Sequence, residues 1–312
     1  MPPSIKRQTP PVSKQPTFAA GSILSTAKPV NTLREDKVKV CLYGRNRSGK
    51  TTLAAQFPKP ILFVSSEPAS NGGALSIADI EGAPLIRVAR CPRPDAPKNA
   101  VCGSAKVVAI ANELYANNPF ATVVLDTVTS LQDIVLTELL DLPSVPEMLT
   151  WGTVPDGVYQ MRAEKLRESI RPLLELQNCN IVMLAQEADH NKQEDRSGKR
   201  KLMGTMQQES FMAPALGATN AKWLQDACGY VFQIYEDEIT ETVSIPSVTG
   251  GATMQVVQGT GKRQRHLRML YHPNFAAGGR WAFDPSIPEF VTAPTPKQLY
   301  SAMAKYIPAL KV

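Results

Sequence analysis

The chain has 312 residues, 43% of them hydrophobic and 20% charged, which suits an ordinary globular protein with one large core or a core plus a small appendage. No apolar run reaches about eighteen residues and the N-terminus lacks a signal-length apolar stretch, so a membrane-spanning helix is excluded and a soluble, cytoplasmic protein is expected. A net charge of +6 tilts the expected partner toward a polyanion without establishing one.

Residues 1–34 are rich in Pro, Ser, Thr and Lys and read as a disordered basic arm, either a solvated tail or a DNA-touching one. In "DKVKVCLYG", Val38, Val40 and Leu42 alternate with Lys39 and Cys41, a strand signal that ends at Gly44. "GKTTLAAQF" follows as a short helix stopped by Pro58, and "KPILFVSSE" reads as a buried strand. Residues 69–103 are irregular, with a short strand at "LIRVA". Next come a helix at "SAKVVAIANELYANN", a buried strand at "ATVVLDTVTS", helices at "SLQDIVLTELLDL" and "VYQMRAEKLRESIRPLLELQ", and a third buried strand at "CNIVMLAQE". Such alternation predicts a parallel sheet with helices on its faces.

After Gln186 the pattern turns polar and aperiodic, so residues 187–219 read as a long mobile loop. "CGYVFQIYED", "ETVSIPSV", "ATMQVVQ" and "RHLRMLYH" then read as strands of an antiparallel extension, with "VTGGAT" as a hairpin turn. Residues 35–290 are taken as one core and 291–312 as a tail with a helix at "PKQLYSAMAKYI". Cys41, Cys91, Cys102, Cys179 and Cys228 are far apart and lack metal-ligand spacing, so all five are expected to be reduced and no zinc is expected.

The chemistry begins at "GRNRSGKTT", Gly44 to Thr52. Gly44, Gly49, Lys50 and Thr51 match G-x-x-x-x-G-K-[ST] in full, with a strand leading in and a helix leading out. Glycines let backbone N–H groups turn inward on phosphate, Lys50 reaches the β- and γ-phosphates, and the Thr51 hydroxyl takes a place on Mg²⁺. Within the loop, Asn46, Ser48 and Thr52 complete the expected phosphate cradle. Arg45 and Arg47 are open to phosphate contact, a neighbouring subunit, or plain solvation. Asp126, closing "TVVLD", fits the acid of the metal shell. Thr127 follows it where many ring-forming AAA+ enzymes carry a glutamate, so the water-activating base must come from elsewhere. Glu67 is the candidate, because the carboxyl end of a parallel strand faces the nucleotide crevice. Gln186, also at a strand end, is placed to bond the γ-phosphate and report its loss.

P-loop, strand-ending glutamate, Asp-Thr, then a strand-ending glutamine before a long loop: this order resembles the RecA-like recombinase core. More narrowly, "VKVCLYGRNRSGKTTLAAQFPKPILFVSSEP" with "TVVLDTVTSLQD" resembles phage ATP-binding proteins described as RecA-like single-strand annealing proteins. The resemblance implies an α/β fold with a RecA-like P-loop NTPase core, a mostly parallel sheet flanked by helices and an antiparallel C-terminal extension. It implies an ATPase using ATP and Mg²⁺, with Lys50, Glu67, Asp126 and Gln186 catalytic and Thr51 and Asp126 on the metal. The expected partners are single-stranded DNA and further copies in a homo-oligomer; a single-strand binding protein is another candidate. Host cytoplasm is the implied location.

Two basic clusters remain. Arg196, Lys199, Arg200 and Lys201, with Phe211 nearby, read either as a segment tracking single-stranded DNA or as a solvated loop tip. Lys262, Arg263, Arg265 and Arg268 in "GKRQRHLR" form the second. Lys262, Arg263, Arg265 or Arg280 could act in trans on a neighbour's γ-phosphate, or the cluster could be a basic strand edge. Two rivals stay open: a helicase or packaging ATPase, and an ATP-dependent loading module for a protein partner that ignores DNA.

Overall fold

The computed structural model describes residues 37–67, 83–90, 101–142, 156–191, 210–246, 253–270, 272, 274–280 and 285–310. In chain order the elements are β1 (Lys39–Gly44), α1 (Lys50–Ala54), β2 (Ile61–Ser65), β3 (Leu85–Arg87), α2 (Gly103–Ala116), β4 (Thr122–Asp126), α3 (Val128–Leu139), α4 (Asp156–Glu175) and β5 (Asn180–Asn191). Then come β6 (Ser210–Pro214), α5 (Ala218–Ala227), β7 (Tyr230–Pro246), β8 (Thr253–Arg268), β9 (Gly278–Gly279), β10 (Phe290–Ala293) and α6 (Pro296–Ala304). The main sheet runs β10-β8-β7-β1-β5-β4-β2-β3. Every pair from β7 across to β3 is parallel, whereas β7–β8 and β8–β10 are antiparallel. The expected α/β architecture, a mostly parallel sheet flanked by helices with an antiparallel C-terminal extension, is the one observed.

The central strands are apolar on both faces because both faces are covered. In β1, Cys41 and Tyr43 point into a core shared with α2, α3, α4 and α5, while Val40 and Leu42 point into a second core with α1 and α6. At the start of the strands, buried Asn180 ties three of them together. Its Oδ1 accepts from Val38 N–H at 3.1 Å and its Nδ2 donates to the Ala121 carbonyl at 3.1 Å. Thr127 caps α3, its hydroxyl accepting from Ser130 N–H, and Thr295 caps α6 in the same way.

Several expectations need correcting. The four strands expected after Cys228 are two long ones, β7 and β8, paired out to Pro246↔Thr253; most of "VTGGAT" lies outside the described residues. Gly and polar residues inside "QGTGKRQ" hid the continuity, which comes from cross-strand pairing and not from alternation. The start of β7 is also no antiparallel extension, since it pairs parallel with β1. The stretch 187–219 is not loop throughout: β5 runs on to Asn191 and pairs antiparallel with β6, and α5 begins at Ala218. Cys102 is disulfide-bonded, whereas Cys41, Cys179 and Cys228 are free and buried. Cys102 stands at the extended N-cap of α2, outside the apolar cores that occupy the other three. Cys91 and the arm 1–34 lie outside the described residues.

Asn180→Ala would leave the buried Val38 N–H without its partner, while the Ala121 carbonyl keeps the Asn180 backbone N–H. The expected cost is about 2 kcal/mol, read as a lower urea midpoint at unchanged m-value; an unchanged midpoint would mean that water replaces the amide.

Candidate functional site

β4 and β2 end level with each other, β1 ends two residues further along, and β5 runs on past all three. Gly44 lies opposite Gln186, Asp126 opposite Leu184, and Ser65 opposite Asp126. The phosphate loop therefore leaves the sheet beside the strand ends that carry Asp126 and Glu67. Gly44 is demanded by its neighbour: a Cβ there would lie 2.1 Å from the Ile234 carbonyl oxygen of β7. Gly49 is demanded by its backbone, which is left-handed at φ +94° as the chain enters α1.

Lys50 is buried, 8% exposed, and its Nζ donates to the Gly44 and Arg45 carbonyls at 2.9 and 2.8 Å. Burial lowers its pKa, against the pull of Asp126, Glu67 and Glu187. The Thr51 hydroxyl donates to Asp126 Oδ2 at 3.0 Å. Asp126, 3% exposed, is pushed up by burial and held back by Thr51 and Lys50. Glu67 follows two residues after β2, anchored by Ser66, whose N–H donates to the Asp126 carbonyl and whose hydroxyl donates to the Thr127 carbonyl. Burial and the Asp126 charge raise the Glu67 carboxyl, and Lys50 opposes them. Lys50, Thr51, Asp126 and Glu67 thus form one electrostatic group.

A nucleotide triphosphate with Mg²⁺ fits this group. The Ser48 hydroxyl is buried without a hydrogen-bond partner, and Lys50 is parked on loop carbonyls that a phosphate would replace. One hydroxyl and one carboxylate, Thr51 and Asp126, are the donor set that Mg²⁺ takes alongside phosphate oxygens. Arg45, Asn46 and Arg47 are exposed, Arg47 with φ +65°, and Arg45 approaches Glu187 at 3.8 Å. Thr52 lies in the first turn of α1, half-exposed.

Gln186 sits against the loop's root by register. Its N–H donates to the Thr129 hydroxyl and its carbonyl accepts from Ala215 N–H. Glu187, beside it, is a site residue the sequence reading missed. Its side chain is 7% exposed, accepts from Gln233 Nε2 at 3.0 Å and acts on Lys50. The acid was visible in "LAQE", but the strand was expected to end there, leaving Glu187 in a loop.

The other candidates are dispersed. Arg196, Lys199, Arg200 and Lys201 lie outside the described residues. Lys262 and Arg263 are exposed on β8. Arg268 is held by Glu289 and by the ring of Phe275 at 4.3 Å. Arg280 N–H donates to the Gly229 carbonyl just before β7, some five residues, about 16 Å, below the level of Gly44. Arg265 of the second cluster reaches the phosphate loop at Gly49, and Arg263 and Arg268 line the cleft beside it. Between residues 45–48 and the β7–β8 stem is a cleft of about 780 Å³.

The profile of a family described as an AAA domain matches residues 36–281. Curated proteins give no match in sequence. Similar solved structures include a KaiC-like protein from the hyperthermophilic archaeon Pyrococcus horikoshii, 16% identical over 74% of this chain and 86% of that one, with a TM-score of 0.36. The RadB recombinase is 13% identical over 83% of this chain and 88% of its own, with a TM-score of 0.34. A type III secretion system ATPase of pathogenic bacteria is 11% identical, over 64% of this chain and 51% of its own, with a TM-score of 0.37.

Because burial raises the Asp126 carboxyl, the folded state holds its proton more readily than the unfolded state does. Ionised Asp126 therefore subtracts stability at neutral pH, and the penalty fades as pH falls toward the ordinary carboxylate range. In buffer free of metal and nucleotide, Asp126→Asn should melt at a higher temperature than the parent at pH 7, with the gain vanishing near pH 4. A lower melting temperature at pH 7 would show that the ionised carboxylate is net stabilising.

Proposed function

The chain belongs to the AAA domain family, and on that premise we propose that it is a Mg²⁺-dependent ATPase that works as a homo-oligomer on single-stranded DNA, in annealing or recombination of the phage type. The observation that carries the catalytic half is the group at one edge of the sheet formed by buried Lys50 and Asp126 with half-buried Thr51 and Glu67. Lys50 exchanges its two loop carbonyls for the β- and γ-phosphate oxygens. Thr51 and Asp126 hold Mg²⁺, which neutralises phosphate charge when bound. Glu67, its carboxyl raised by burial and by the Asp126 charge, orients water and accepts its proton.

The DNA half rests on how Gln186 is connected. Its backbone is bonded to both arms of the ribbon beyond the sheet: β5 continues from it, and Ala215, just after β6, donates to its carbonyl. Those arms bound residues 192–209, which carry Arg196, Lys199, Arg200 and Lys201. Gln186, in register with Gly44, senses the γ-phosphate and passes its loss into the ribbon that presents those cations to DNA. Lys262, Arg263 and Arg280, all exposed, are the cations that we assign to a neighbouring subunit's nucleotide, Arg263 from its place beside Glu236.

Hydrolysis should rise on adding single-stranded DNA and fall about a hundredfold or more in Lys50→Ala. Hydrolysis that ignores DNA would instead favour a module that loads a protein partner. Replacing Lys199, Arg200 and Lys201 together by Ala should weaken DNA binding and flatten the slope of log affinity against log salt by about 2. An unchanged slope would remove those residues from the DNA site.

A further inference from the structure

β7 and β8 are the stem of a hairpin that climbs past the end of β1, and the phosphate loop leans against it. The Ile234 carbonyl sets the contact, since it leaves no room for a Cβ on Gly44. Two residues higher on the same face of β7 is Glu236, directly across the ladder from Arg265 of β8. Arg265 Nε lies 2.8 Å from Glu236 Oε1. Their side chains are 32% and 19% exposed, against 77% for the neighbouring Arg263. Leu267, two residues along β8, is buried in the core with α1, so Arg265 emerges on the α1 side. Its guanidinium lies over Gly49: a Cβ built there would be 3.3 Å from Nε and 3.9 Å from Cζ.

A half-buried guanidinium thus overhangs the turn that cradles phosphate, and it belongs to the same chain as that turn. We infer that Arg265 is a phosphate contact of its own subunit's nucleotide, acting in cis, and that Glu236 is the positioning residue that holds it over the loop. This rests on the nucleotide-site reading above. In sheet order Arg265 reaches Gly49 from the β8–β7 side of β1, whereas Asp126 and Glu67 flank the loop from β4 and β2. Arg265 therefore grips the end of the nucleotide away from metal and water, the end that remains after the γ-phosphate has left. A planar fork suits this work, because it can keep one edge on a carboxylate and turn the other to phosphate. The cleft between the loop and the stem, lined by Ser48, Tyr235 and Arg265 among others, opens beside the loop on the side away from Asp126 and Glu67.

The cis assignment separates sharply from a cation acting on a neighbour's γ-phosphate. ADP binding is measured first, by fluorescence of a labelled ADP, on the full chain. Arg265→Ala should weaken ADP about tenfold and Arg265→Lys less. Glu236→Gln keeps an acceptor oxygen that still positions the guanidinium but removes the charge that competes with phosphate, so ADP affinity should stay equal or become tighter. If Glu236→Gln weakens ADP as Arg265→Ala does, the pair only braces the hairpin and the inference fails. It also fails if wild type binds ADP and Arg265→Ala binds it equally well. Absence of ADP binding by wild type would instead sink the nucleotide reading itself. Hydrolysis by mixtures of Lys50→Ala and Arg265→Ala chains gives the second readout. Activity no greater than the sum of the two alone is expected in cis, and recovery above that sum would assign Arg265 to the neighbour's site.

Discussion

Lys50 and Asp126 are held out of bulk water at the carboxyl edge of the sheet, with Glu67 half-buried beside them, and the surrounding structure is arranged to make that tolerable. Burial drives the two carboxyls up and the ammonium down, and the Asp126 charge adds to the rise at Glu67. Mutual attraction offsets it, together with the Thr51 hydroxyl on Asp126 and the two loop carbonyls on Lys50. Each of these partners comes from a different element, so the group exists only when β1, β2 and β4 end beside one another. The buried Ser48 hydroxyl is left unsatisfied. A site of this kind stores unfavourable solvation that a phosphate-bearing ligand relieves, which is the reason such positions repay their cost in function and not in stability.

β7 gives that edge its reach. Its first residues complete the parallel sheet beside β1, and its remainder pairs with β8 beyond the sheet's end. One strand thereby ties the phosphate loop, through Gly44 and Ile234, to a hairpin that carries charged side chains over the loop. β5 does the same on the other flank. Its first half is sandwiched between β1 and β4, and its second half leaves to pair with β6. β7 and β5 thus leave the sheet on opposite sides of β1, each beside the root of the loop.

Glu187 shows why part of the site escaped a reading of the residues. It follows Gln186 in an apolar run that ends in polar residues, and the end of the alternation looks like the end of the strand. The strand continues because β6, nineteen or more residues later, supplies the missing ladder. Thr127 is the opposite case. Its place after Asp126 is explained locally, since its hydroxyl caps α3. Cys102, expected to be reduced with the rest, differs from them by lying outside both cores, which spacing along the chain does not reveal.

The residues by themselves determined whatever depends on near neighbours: the phosphate loop between a strand and a helix, the apolar strands, the acid at the end of "TVVLD", the caps of α3 and α6. These stem from backbone sterics, hydrogen-bond geometry and the periods of helix and strand, all of which act over a few residues. Only the tertiary structure decided that Glu187 is buried beside Lys50, that the hairpin stem is one long ladder, and that Arg265 overhangs the loop of its own chain. Those depend on register between segments up to some two hundred residues apart. A slip of one residue would turn each of these side chains to the other face.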